Sequence, residues 1–127
     1  MVDGDVRVVI VEDNQTFRET LELLLPLRAG IEVVAAVERG IDAVEACSRL
    51  EPDVAIIDYR MPGLNGAQTT AALRAASPRT RVVCLTASVS AEEIELVKAA
   101  GAVACLTKDQ SLDEIVAVIR AAAEAAG

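Results

Sequence analysis

The strongest constraint on this chain is a rhythm. Short aliphatic runs alternate five times with helix-patterned stretches. The runs lie roughly at 6–11, 31–37, 53–58, 81–86 and 102–107, and the helical patterns near 15–28, 39–50, 66–76, 90–100 and 111–125. Val6-Arg7-Val8-Val9-Ile10-Val11 and Val54-Ala55-Ile56-Ile57 are nearly continuous in Val and Ile rather than alternating with polar residues. Strands of that kind need cover on both faces. Strand, helix, strand with short connections predicts a parallel sheet with helices on both faces, an α/β fold.

The helix limits carry their own chemistry. Ser90 with Glu93, and Ser111 with Glu114, are capping-box patterns. Gly101 follows Lys98-Ala99-Ala100 as a helix-ending glycine. Pro26 is expected to end or kink the first helix, because proline has no N–H to give. A chain of 127 residues suits one domain with its own core. With 53% hydrophobic but only 2% aromatic residues, that core must be aliphatic, and Phe17 and Tyr59 are the only rings.

Composition also excludes functions. The formal charge of −8 argues against direct binding of nucleic acid or an anionic membrane. No apolar run reaches the roughly 18 residues a membrane span needs. Met1-Val2-Asp3-Gly4-Asp5 lacks the basic start of a signal peptide, and a cytoplasmic location is expected. Three cysteines do not make a disulfide framework. Cys47, Cys84 and Cys105 read as reduced core residues, with Cys84 and Cys105 expected on adjacent strands. The chain has no histidine, which removes the usual zinc sites, serine–histidine catalysis and phosphohistidine chemistry within it.

The strand ends are where the chemistry lies. The run ending at Val11 meets Glu12-Asp13, and Val54–Ile57 meets Asp58. The run from Arg81 ends on Thr86, and the run from Val103 leads to Lys108. In an open parallel sheet these ends share the edge at which ligands bind. Carboxylates, a hydroxyl and an ammonium together describe a magnesium-dependent phosphoryl-transfer site. A carboxylate can attack phosphorus and form an acyl phosphate, and Asp58 is placed for that. Mg2+ prefers oxygen ligands; Glu12, Asp13 and Asp58 supply them, and a backbone carbonyl just after Asp58 could add another. Lys108 would offset negative charge, and Thr86 could donate to a phosphoryl oxygen. Taken singly, each has an ordinary use: Glu12-Asp13 as a helix cap, Thr86 as a loop hydroxyl, Lys108 as a surface cation. The set is far more specific than its members.

These residues resemble the receiver domain of bacterial two-component response regulators, over essentially the whole chain. The likeness is carried by Glu12-Asp13, by Asp58 as phosphoacceptor, and by Met61-Pro62-Gly63 with Gly66. Thr86-Ala87, Gly101-Ala102 and Lys108 complete it. The stretches Glu12-Asp13-Asn14-Gln15-Thr16-Phe17-Arg18, Tyr59-Arg60-Met61-Pro62 and Leu85-Thr86-Ala87-Ser88 look most like the NarL/LuxR subfamily. The resemblance implies a flavodoxin-like (βα)5 doubly wound sheet, with strand order 2-1-3-4-5. It implies Mg2+ held by Glu12, Asp13, Asp58 and the backbone carbonyl of Arg60. It implies a sensor histidine kinase as phosphoryl donor, and slow self-catalysed hydrolysis rather than enzymatic turnover of a separate substrate. Switching would alter the fourth helix, fifth strand and fifth helix. A homodimer through that face, or through the first and fifth helices, is expected to control transcription. DNA would be bound only by a helix-turn-helix output domain outside this chain, and no membrane contact is implied.

Two features depart from the family pattern. The position three before Lys108, usually an aromatic that swings between rotamers, is Cys105. A thiol cannot make that movement. Residues 1–127 also read as a single receiver with no output domain. Either the chain is a single-domain receiver or it is the N-terminal fragment of a longer regulator; the subfamily likeness favours the fragment. Side chains two residues beyond Asp58 and Thr86, Arg60 and Ser88, would flank the site, and Arg60 could steer phosphate.

Other readings compete. A haloacid-dehalogenase-type phosphatase needs a second aspartate two residues after the first, where this chain has Arg60; a nucleotide or flavin binder on the same fold would call for a phosphate-binding glycine motif, and neither G-x-x-x-x-G-K-S/T nor G-x-G-x-x-G is present. A phosphorylation-independent receiver-like interaction module draws support only from Cys105, since the acidic residues and Lys108 are all retained.

Overall fold

The computed structural model describes residues 5–88 and 90–126. Its strands are β1 (Val6–Val11), β2 (Ile31–Val37), β3 (Val54–Ile57), β4 (Arg81–Thr86) and β5 (Ala104–Thr107). Its helices are α1 (Gln15–Leu24), α2 (Gly40–Leu50), α3 (Gly66–Ala76), α4 (Ala91–Ala100) and α5 (Leu112–Ala126). The strands form one five-stranded parallel sheet in the order β2-β1-β3-β4-β5.

Period-two alternation divides the sheet's side chains between two cores. Val8, Ile10, Ile56, Val83 and Leu85 face Leu21 of α1 and Ile115, Val116 and Ile119 of α5. Val9, Val11, Ala55, Ile57, Val82 and Cys84 face Ala43 and Cys47 of α2, Leu73 of α3 and Val97 of α4. Each fully buried Val, Leu or Ile is worth about 1.5–3 kcal/mol of transfer free energy. The near-continuous aliphatic runs therefore reflect strands covered on both sides. All three cysteines are free thiols; Cys84 and Cys105 pair in register on β4 and β5.

The ends of elements differ from the sequence reading in small, explicable ways. The first helix was expected over 15–28, but α1 stops at Leu24 and a 3₁₀ turn follows at Leu25–Leu27. Pro26 lies in that turn's opening positions, where its missing N–H costs nothing. The cap of α1 is Asn14, whose side chain accepts from Phe17 N at 2.9 Å, not Glu12 or Asp13. The expected strand 53–58 contracts to Val54–Ile57, although backbone bonds to the neighbouring strand continue at both ends, Asp53 N donating to Arg7 O at 2.9 Å and Asp58 N to Val11 O at 3.0 Å. The expected strand 102–107 contracts to Ala104–Thr107. Both serine capping boxes are formed, and a third joins Asn65 to Gln68 at the start of α3. Gly101 ends α4 at φ 124°, a value that only glycine adopts without strain. Among the described residues no helix is long and apolar enough to cross a membrane.

Candidate functional site

The sheet carries the candidate residues to one edge through its own hydrogen-bond ladder. Beyond the paired strands, Glu12 N donates to Val37 O at 2.9 Å and Asp58 N to Val11 O at 3.0 Å. Lys108 N donates to Thr86 O at 2.9 Å. Glu12, Asp58, Thr86 and Lys108 are thus held at the backbone by the strand beside them. Such support makes a site more rigid than one built on loops alone.

Three carboxylates converge there. One oxygen each from Glu12, Asp13 and Asp58 lies within 4.8 Å of the others. Glu12 is 2% and Asp58 6% exposed, whereas Asp13 is open to solvent. An all-oxygen set of three acids, two buried and one accessible, fits a hard divalent cation such as Mg2+.

Lys108 completes the cluster. Its Nζ lies 2.8 Å from Glu12 Oε1, 3.4 Å from Asp58 Oδ2 and 4.5 Å from the centre of the Phe17 ring. Glu12 uses its other oxygen, Oε2, to accept from Asn14 N at 3.0 Å. Burial raises the Glu12 pKa, and the Asp58 charge adds to the rise. The Lys108 and Asn14 hydrogen bonds act against it without cancelling it. For Lys108, burial pulls downward, but the Glu12 hydrogen bond and the charges of Asp58 and Glu12 outweigh it, so its pKa is raised. The ammonium is therefore secured as a cation at neutral pH.

Thr86 closes β4 and is 1% exposed. It joins the cluster through its carbonyl bond to Lys108. Arg60 turns back on the acidic group: its backbone N–H donates to Asp58 Oδ1 at 3.3 Å. Its guanidinium reaches Glu93 Oε1 on α4 at 2.7 Å. Ser88 is exposed. Gly66 sits so close to the loop after Asp58 that a Cβ on it would lie 2.7 Å from Tyr59 Cα and 3.2 Å from Asp58 O. The glycine is therefore required by packing, and its N–H donates to Tyr59 O at 2.8 Å.

Sequence reasoning brought Glu12, Asp13, Asp58, Thr86 and Lys108 to one edge, and they lie there. It missed the Asn14 cap, the Phe17 ring against Lys108 and the Arg60–Glu93 pair. The Asn14 cap had a local signal, an Asn just before the first helical residue. The other two join segments distant in sequence and had none.

The family model for the response regulator receiver domain matches residues 8–120. The transcriptional regulatory protein NarL of Mycobacterium tuberculosis is 37% identical over 114 residues, covering 90% of this chain and 53% of that protein. The nitrate/nitrite response regulator protein NarP of Escherichia coli is 33% identical over 118 residues, covering 93% of this chain and 55% of that protein. The signal receiver domain structure of the M. tuberculosis NarL superposes with a TM-score of 0.91 at 36% identity, covering 96% of this chain and 98% of that one. The chain spans about half the length of the curated relatives it matches.

Proposed function

Because this chain belongs to the response regulator receiver domain family, we propose that it is a phosphorylation-controlled signalling domain whose acceptor is Asp58. The observation that carries the reading is the meeting of Asp58 with Glu12, Asp13 and Lys108 at one sheet edge.

In this reading an Asp58 carboxylate oxygen attacks the phosphorus of a phosphohistidine on a sensor kinase. The new P–O bond forms as the P–N bond breaks, and the imidazole nitrogen leaves with the electron pair. Glu12, Asp13 and Asp58, with the Arg60 carbonyl, would hold Mg2+; once bound, the ion supplies positive charge against the phosphoryl oxygens. Lys108 contributes the fixed cation and shifts its weaker contact from Asp58 to a phosphoryl oxygen. Thr86 donates its hydroxyl to another, a bond available only in the phosphorylated state. Later attack of water on phosphorus returns Asp58 to its free form and releases inorganic phosphate. The chain is then a switch, not an enzyme with a separate substrate.

The changed site acts on α4, β5 and α5, and so on self-association through that face or through α1 and α5. In a longer regulator of the NarL type, dimerisation would govern DNA binding by an output domain. A cytoplasmic location follows from the proposed kinase partner. The test is labelling by acetyl phosphate with and without EDTA. Label that depends on magnesium is the expected result. Label indifferent to chelator, or none on the folded protein, contradicts it.

A further inference from the structure

Arg60 is bound at both ends. Its backbone N–H touches Asp58 Oδ1 at 3.3 Å, and its guanidinium touches Glu93 Oε1 at 2.7 Å. The same Glu93 oxygen accepts from Ser90 N at 3.0 Å in the capping box that starts α4. One carboxylate oxygen therefore serves both the helix cap and the loop after Asp58. The pair is partly open: the Arg60 side chain is 57% and that of Glu93 21% exposed. Both border an open cleft of about 500 Å³ lined also by Tyr59, Met61, Pro62 and Asn65.

A partly exposed ion pair of this kind is weak and yields to a stronger anion. A phosphoryl group brings roughly 1.5–2 negative charges and three acceptor oxygens, against one charge on Glu93. Arginine's planar fork is the side chain best suited to such an anion.

We propose that Arg60 is an exchangeable link between Asp58 and α4, paired with Glu93 when Asp58 is free and with the phosphoryl group when Asp58 carries one. The inference rests on Asp58 being the phosphoacceptor. On exchange, the first turn of α4 keeps its capping box but loses its tie to the acceptor loop. The signal reaches α4 without an aromatic side chain at Cys105. Arg60 acts here as a positioning residue for α4.

The test is hydrogen–deuterium exchange of the first turn of α4, before and after incubation with Mg2+ and acetyl phosphate. Intact mass on the same samples reports how much is phosphorylated. In the wild type, exchange in that turn is expected to rise several-fold on phosphorylation. In Arg60→Ala, and in Glu93→Gln, which can keep the cap, it is expected to be fast already and to show no further step. Arg60→Lys should retain a smaller step. A merely structural salt bridge would leave the phosphorylation step in place in Arg60→Ala. That result, or a fully phosphorylated wild type with no step, overturns the link. A wild type that gains no phosphoryl mass overturns the phosphoacceptor reading and the link with it.

Discussion

Lys108 is held more closely by Glu12 than by Asp58: its Nζ lies 2.8 Å from Glu12 Oε1 and 3.4 Å from Asp58 Oδ2. The cation is thus held chiefly by a buried acid. The candidate acceptor keeps only the longer contact.

Removing that cation exposes the cost of burying Glu12. Lys108→Met is expected to destabilise the fold at neutral pH by roughly 1–2 kcal/mol, less than the loss seen when a fully buried pair is broken, because Lys108 is partly exposed. The pH dependence has a definite sign. A folded pKa raised above the unfolded value of 4.5 means that stability from Glu12 is present below 4.5 and is lost as pH rises through the folded value. Without Lys108, the Glu12 pKa rises further. The difference between variant and wild type should therefore be largest near neutrality and shrink toward about pH 4. Urea unfolding of both proteins across that range measures it.

Asp58→Asn removes one of the charges that push Glu12 upward. In EDTA the variant is expected to be more stable than the wild type, by on the order of 1 kcal/mol, and its Glu12 pKa should fall. Magnesium should narrow the gap, because a cation held by the three acids offsets their repulsion in the wild type. Thermal melts with EDTA and with Mg2+ check both statements.

The acceptor loop depends on the missing side chain at Gly66. A methyl there would stand 2.7 Å from Tyr59 Cα, so backbone must move. Gly66→Ala is predicted to cost about 1–3 kcal/mol. Because the displaced segment follows Asp58 directly, labelling by acetyl phosphate should slow as well. A stability loss with an unchanged labelling rate would show that the loop's position does not matter to the site.

Helices α2 and α3 meet at a similarly tight point. A Cβ on Gly40 would collide with Thr69 Oγ1 and stand 3.0 Å from Leu64 Cβ. Thr69 Oγ1 is buried and, among the described residues, has no hydrogen-bond partner. Gly40→Ala should destabilise by about 1–3 kcal/mol, and Thr69→Ala should recover part of that loss. Denaturant unfolding of the two single variants and the double variant closes the cycle.

The fold was legible because Val8–Val11, Val54–Ile57 and Val82–Leu85 are almost wholly aliphatic, and strands buried on both faces leave that mark. The site was legible because each polar residue stands where such a run stops, and a parallel sheet gathers those stops on one edge. Helix ends were legible wherever a cap needed a particular side chain, as at Ser90 and Gly101. The overrun past Leu24 came from extending a helical pattern beyond Pro26, which a 3₁₀ turn accommodates. The Phe17–Lys108 and Arg60–Glu93 contacts left no trace in the sequence. They arise from how α1 and α4 settle on the sheet, and neither contact has a local pattern to betray it.

The proposed switch depends above all on Asp58 carrying the phosphoryl group. The most direct measurement is intact mass after incubation with Mg2+ and acetyl phosphate, on wild type and Asp58→Asn side by side. A gain of one phosphoryl group in the wild type and none in Asp58→Asn is predicted. An equal gain in Asp58→Asn, or no gain in folded, magnesium-bound wild type, would contradict the proposal.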